Sequence, residues 1–325
     1  MIKKILGILG LLVFVYVATW IFSDLLTGRD TFMDPYTQKN LLRRTAMFGI
    51  ISIGVAFVII TGGIDLSIGS VICLIGVGFP WLLTSFDWPV WLALPTVLIV
   101  GILIGGWHGF LVTKVRLQPF VVTLCGLLIY RGLTRGITAD QKQGFGTGKY
   151  DGLKWLASGE VMGMPVPFWI LLIVTVAAVI FLNRTVYGRY LLAVGNNEEA
   201  AKLSGINTDR VVICAYVICS FLAGLGGVLF VLDQGSAQPT SMGNFYELYA
   251  IAAAVLGGCS LRGGQGTIIG VVIGAAVMQV LRGSIIYIDW ISPNIEFAFI
   301  GVVILAGVTA DEMVRRVAAR RRLER

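Results

Sequence analysis

The chain has 325 residues, 57% of them hydrophobic and only 13% charged, with a mean hydropathy of +0.86. A soluble domain carries roughly 25% charged residues, so the composition excludes a soluble globular protein and requires an all-α, polytopic membrane protein. The net charge of +7 does not indicate nucleic acid, because the basic residues lie between apolar runs without interleaved aromatics. Cys73, Cys125, Cys214, Cys219 and Cys259 fall mostly in apolar segments with no C-x-x-C spacing. They read as small buried hydrophobes, which leaves neither a disulfide framework nor a metal site.

In chain order, Ile5 to Phe22 reads as a first, uncleaved span with Lys3 and Lys4 inside, since no A-x-A site follows it. Ser23 to Arg44 reads as a polar external segment. Phe48 to Ile60 and Val71 to Pro80 are expected to be two hydrophobic half-segments around a glycine-rich break, Thr61 to Ser70, that carries Asp65. The plainer reading of this break is a short loop between two helices with Asp65 as an N-cap. An ionisable residue at depth is functional by default, and irregular backbone is tolerated there only inside protein or along a cavity. Trp91 to Thr113 and Pro119 to Leu133 follow as spans, joined by the basic turn Lys114-Val115-Arg116. Thr134 to Gly163 is placed outside, Val166 to Leu182 spans inward, and Asn183 to Arg210 is an inside loop. Val211 to Leu232 spans outward. Phe245 to Leu256 enters a second glycine-rich break, Gly257 to Gly266, and Thr267 to Ile286 and Ile295 to Val308 complete about ten spans. The domain reading is one transmembrane unit over 1–310 and a basic cytoplasmic tail over 311–325. Both termini are expected inside by the positive-inside bias, against which Arg43, Arg44, Arg131 and Arg135 count.

The two breaks echo each other. Gly62-Gly63-Ile64-Asp65-Leu66 compares with Gly257-Gly258-Cys259-Ser260-Leu261. Paired glycine interruptions in two halves point to a transporter's central pathway, although glycine is plentiful and favoured at helix contacts in membranes. The expected substrate pathway is Gly62, Gly63, Asp65, Ser67, Ser70, Gly257, Gly258 and Ser260. Gly144 to Tyr150 fails the phosphate-loop spacing, so ATP chemistry belongs to another subunit. His108, the only histidine, has no evident carboxylate partner at depth and is expected to hydrogen-bond a neighbouring helix. In the inside loop, Asn197 is a fair N-cap, Glu198 and Glu199 suit a helix N-terminus, and Gly205 suits a C-terminal stop. So short a helix needs a support. Ala200, Ala201 and Leu203 offer a small face for docking in a groove, with an interfacial helix as the plainer alternative.

Gly62 to Ser70, Gly195 to Ile206 and Leu256 to Gly266, with Pro119-Phe120-Val121-Val122-Thr123-Leu124, together resemble the ribose-type (monosaccharide) permeases of ABC importers. That branch belongs to the superfamily that includes branched-chain amino acid permeases. The resemblance runs from about Phe48 to the last span. It implies a permease dimer, of one copy or a paralogue, in the lipid of the bacterial cytoplasmic (inner) membrane. It also implies an ABC ATPase subunit in the cytoplasm and an extracytoplasmic sugar-binding protein. The coupling helix seated in the ATPase is then Asn197, Glu198, Glu199, Ala200, Ala201, Leu203, Ser204 and Gly205. His108 stands where the family often has Asn, and Cys259 where Thr is common. The function expected is passage of a ribose-like sugar by a non-enzymatic subunit with no cofactor, no metal and no nucleic acid. An ion-coupled secondary transporter using Asp65 and His108 is the alternative. An intramembrane enzyme has no catalytic dyad to support it, and amino acids or nucleosides stay open as substrates.

Overall fold

The computed structural model describes residues 2–27, 32–146 and 148–287, with single positions between 295 and 313. In chain order the helices are α1 (Ile2–Thr27), α2 (Pro35–Ile60), α3 (Ile68–Ser85), α4 (Val90–Thr113), α5 (Pro119–Ile137), α6 (Asp151–Ser158), α7 (Val166–Arg184), α8 (Val186–Asn196), α9 (Glu198–Leu203), α10 (Thr208–Gln234), α11 (Tyr246–Leu256) and α12 (Ile268–Tyr287). Eight of these are long and apolar enough to cross a membrane. The expected last span over 295–308 and the tail over 311–325 lie outside the continuously described residues. Proline starts several helices: Pro35 and Pro119 open α2 and α5, and Pro167 sits in the first turn of α7. Its fixed φ suits that position and its missing N–H costs nothing there.

Two expectations need correction. Phe48 to Ile60 is not a half-segment, because α2 begins at Pro35 and runs for 26 residues, about 39 Å at ~1.5 Å per residue. The polar stretch expected outside thus supplies the first turns of this helix, with Asp34 accepting from the Tyr36 and Thr37 amides. With α3 at 18 residues, Asp65 sits in a short loop between two full-length helices. The second loop differs, for α11 has only 11 residues.

The centre of the bundle is α2, packed against α7, α10, α11 and α12. Phe48 lies buried among Phe230, Tyr246 and Tyr249, with ring centroids 4.9–5.5 Å away. Against α10 runs α4, whose Gly101, Gly105 and Gly109 form a stripe at four-residue spacing. A Cβ would lie 3.0 Å from the Ser220 oxygen at Gly101, 2.7 Å from Val217 Cα at Gly105 and 2.6 Å from Ile213 Cα at Gly109. Such backbone approach is how helices associate in lipid, where burying apolar surface gains little.

The strand β1 (Gln143–Gly144) pairs antiparallel with β4 (Ser236–Ala237), which ties the 134–163 segment to the end of α10. A small hairpin joins β2 (Glu160–Val161) and β3 (Met164–Pro165). Three of the four arginines that oppose the inside-positive bias, Arg43, Arg131 and Arg135, are occupied. Arg43 pairs with Asp233 at 3.0 Å and Arg135 with Asp140 at 2.9 Å, and Arg131 donates to the carbonyls of Pro239 and Met242.

The α4–α10 crossing yields a stability prediction. Gly105→Ala places a Cβ against the Tyr216 carbonyl, where no side chain can yield. Such overpacking costs about 1–3 kcal/mol, so the thermal midpoint of the detergent-purified protein should fall by several degrees. Gly78→Ala, whose Cβ meets nothing within 4 Å, should leave it unchanged or raise it.

Candidate functional site

The first loop begins where α2 stops. Gly62 takes a φ of +85°, which glycine adopts without strain, and the Gly63 amide donates back to Val58 O at 3.1 Å. This closes the helix in the Schellman manner. Asp65 is fully buried. Its Oδ1 accepts from the Ser67 amide at 2.9 Å and the Ser67 hydroxyl at 2.6 Å, a local turn that aims the chain into α3. The loop is stitched to α5, since Thr123 Oγ1 donates to Ile64 O at 3.2 Å and Ser70 Oγ to Leu127 O at 2.8 Å.

Around Asp65 lies a polar nest. His108 (α4), Tyr130 (α5), Tyr216 and Cys219 (α10) are all within its electrostatic reach. His108 Nε2 and Tyr130 Oη share a hydrogen bond of 2.8 Å, so the expected bond to a neighbouring helix is present. Asp65 Oδ2, His108 Nδ1 and Tyr216 Oη have no hydrogen-bond partner among the described residues. Buried polar atoms are seldom left unpaired, and an acceptor, a ring nitrogen and a hydroxyl together suit a small hydroxylated solute or water.

The second loop repeats the first with a one-residue offset. Gly258 has a φ of +88°, and the Cys259 amide donates to Ala254 O at 2.9 Å, so Gly258 matches Gly62 rather than Gly63. Ser260 shapes the turn: its amide donates to Gln265 O at 3.0 Å, and its Oγ accepts from the Arg262 amide at 3.3 Å. Thr267 starts α12 by accepting from the Gly270 amide at 3.1 Å. The loops touch, because the Gly264 amide donates to Ile60 O at 2.9 Å. Both helix–loop–helix units therefore turn at the same end and point the same way. Gly63 faces the nest, with a Cβ there 2.8 Å from Tyr216 Oη. Gly257 instead packs on α12, 2.5 Å from Val271 Cα, and Gly258 faces Ile8 of α1 at 3.9 Å.

At that same end lies α9. Asn197 accepts from the Ala200 amide at 2.9 Å, and Gly205 follows the helix with a φ of +82°. Arg116, in the α4–α5 turn, reaches Glu198 at 3.1 Å. Ala201 is not on an outward face as expected: it is buried against its own chain, while Leu203 is 91% exposed. Ala200, Glu198, Glu199, Ser204 and Gly205 are also exposed.

One buried carboxylate escaped the sequence reading. Glu247 in α11 is only 7% exposed and its Oε2 abuts Gly69, at the start of α3. The signal was available, since it is the lone charge in the apolar run Tyr246 to Leu256. The gap between Asp65 and Glu247 in sequence hid their common attachment to α3.

The family model described as branched-chain amino acid transport system / permease component matches residues 38–308. The ribose import permease protein of Haemophilus influenzae is 40% identical over 275 residues, covering 84% of each chain. That of Escherichia coli K12 is 37% identical over 94% of this chain and 92% of the relative. The xylose transport system permease protein of Escherichia coli K12 is 31% identical over 95% of this chain and 93% of the relative. No solved structure matches.

The nest makes its own prediction. Tyr130→Phe strands His108 Nε2 in a buried site, at a cost of about 1–3 kcal/mol. The melting temperature of the purified protein should drop measurably, whereas Tyr187→Phe, on an exposed ring, should not change it.

Proposed function

The chain belongs to the branched-chain amino acid transport system permease family, and from that premise we propose that it is the membrane-spanning permease subunit of an ATP-driven importer. Its cargo is a sugar of the ribose class, handed over by an extracytoplasmic binding protein and released into the cytoplasm. The chain is a multi-pass protein of the bacterial inner membrane, and ATP hydrolysis belongs to a separate cytoplasmic subunit. The relatives named as ribose and xylose permeases support the cargo class.

The observation that carries the proposal is α9. It is a capped six-residue helix seated on its own chain through Ala201 and presenting Leu203 outward. A large apolar side chain held at full exposure on a short, fixed helix suits a groove on a partner. We read Asn197, Glu198, Glu199, Ala200, Leu203, Ser204 and Gly205 as the ATPase-docking segment, with Ala201 as its anchor. The functional assembly pairs this permease with a second permease in the lipid. The eight long helices and short α11 account for nine of the ten spans proposed.

For the pathway, Asp65 with Ser67, Gly62 and Gly63 is supported by the unpaired Oδ2 and by the loop's glycine backbone. Ser70 holds α5, and Ser260 holds the second loop. Gly257 and Gly258 fit helix packing better than solute contact. A permease fed by a selective binding protein needs only weak, polar contacts, since a conduit must release what it binds. Asp65→Asn should therefore cut reconstituted uptake severely while assembly persists, and uptake at the wild-type rate would remove Asp65 from the mechanism.

Leu203→Arg tests the docking. Burying a leucine contributes ~1.5–3 kcal/mol, so substrate-stimulated ATPase activity and uptake should fall together by roughly tenfold or more. A helix lying on the membrane surface would tolerate the added arginine, and unchanged coupling would sink the assignment. The second reading, an ion-coupled transporter, draws on the Asp65 nest and Glu247. Uptake by this chain alone under an imposed pH or sodium gradient would favour it.

A further inference from the structure

Three stretches far apart in sequence meet backbone to backbone: the end of α2, the loop after α11, and the last residues of α8. The Gly264 amide donates to Ile60 O at 2.9 Å. A Cβ on Gly195 would overlap that same Ile60 carbonyl and lie 2.5 Å from the Gly264 nitrogen. One on Gly263 would lie 2.7 Å from Gly195 O and 2.8 Å from Gly62 N, and one on Gly264 would lie 2.9 Å from the nitrogen and Cα of Asn196. Apart from the Asn196 Cβ, 3.0 Å from the Gly264 position and fixed by its own backbone, these neighbours are main chain, so no rotamer change relieves the overlap.

The covalent paths leading from this point are short. Only Asn196 and Asn197 separate Gly195 from α9, and Asp65 follows Gly62 by three residues. A contact between side chains would absorb a small displacement, whereas close-packed main chain passes it on. We infer that Gly195, Gly263 and Gly264 form a rigid junction through which a displacement of α9 moves the Asp65 loop and the α11–α12 loop as one body. Gly195 is a positioning residue, set apart from both the solute pathway and the docking face. The inference rests on the reading of α9 as the ATPase-docking helix.

The test uses the complete transporter, with the ATPase and binding protein, in proteoliposomes. Gly195→Ala should leave the ATPase bound and hydrolysing in the absence of substrate. Sugar transported per ATP hydrolysed should fall by roughly tenfold, within the ~5–150-fold range of typical coupling free energies. A wild-type ratio overturns the junction. If Leu203→Arg uncouples while Gly195→Ala does not, the junction fails and the docking helix stands; normal coupling in both overturns the docking helix as well. Should Gly195→Ala fail to assemble, hydrogen exchange on the wild-type transporter decides. A rigid junction keeps the amides of 263–264 equally protected in nucleotide-free and ATP-trapped states. Loss of that protection in either state overturns the junction.

Discussion

Helices in a bilayer gain little by hiding apolar surface from one another, because the lipid is as apolar as they are. Cohesion must come from close approach, and here glycine supplies it. The Gly101-Gly105-Gly109 stripe lets α4 lie directly on the main chain of α10, and Gly257, Gly270 and Gly274 do the same for the seam of α11 with α12. With α10 held on one side and α12 on the other, α2 is enclosed along most of its length. The rest of the molecule hangs on that central helix, whose end carries the Asp65 loop.

The same medium governs the polar groups. A buried charge is costly unless bonded, and several charges here have a local solution. Asp65 is held by Ser67, Arg131 by two carbonyls, and Arg43 by Asp233. Three unpaired atoms, Asp65 Oδ2, His108 Nδ1 and Tyr216 Oη, are gathered in one place, beside a loop that also carries freed backbone. A site of that make-up suits weak contact with a hydroxylated solute, which the proposed conduit requires. At the opposite extreme of exposure, Leu203 stands bare on α9. Between the two lies the main-chain contact of the Ile60, Gly195 and Gly264 segments. That contact leaves only a short stretch of chain between α9 and the Asp65 loop.

Much of the fold was legible in sequence because the membrane imposes one strong signal, an apolar run of about 20 residues. The runs for α4, α5, α7, α10 and α12 were placed within a few residues of their observed ends. The cap of α9 was equally plain, since Asn197 and Gly205 are chosen by local backbone geometry. Failure came where charge was taken as a sign of loop. The charges of Lys39, Arg43 and Arg44 suggest a polar segment between spans, yet these residues sit in the first turns of α2, where Glu160 and Asp233 reach them or their neighbours from elsewhere in the chain. Glu247 was overlooked for the complementary reason, a lone acid in an apolar run whose contact lies 178 residues away at Gly69.

By itself the sequence determined the class, the positions of most long apolar segments, the two glycine loops and the short capped helix, because hydropathy, helix caps and glycine's conformational range act over a few residues. The family resemblance could also be read from motifs of that length. Only the tertiary structure decided that Asp65 shares a nest with His108, Tyr130 and Tyr216, and that Ala201 turns inward while Leu203 turns out. It alone aligned Gly62 with Gly258 and brought both loops to the end where α9 lies. These are matters of which helix faces which, and a bundle settles them by the fit of small residues between distant segments, a property no local window contains.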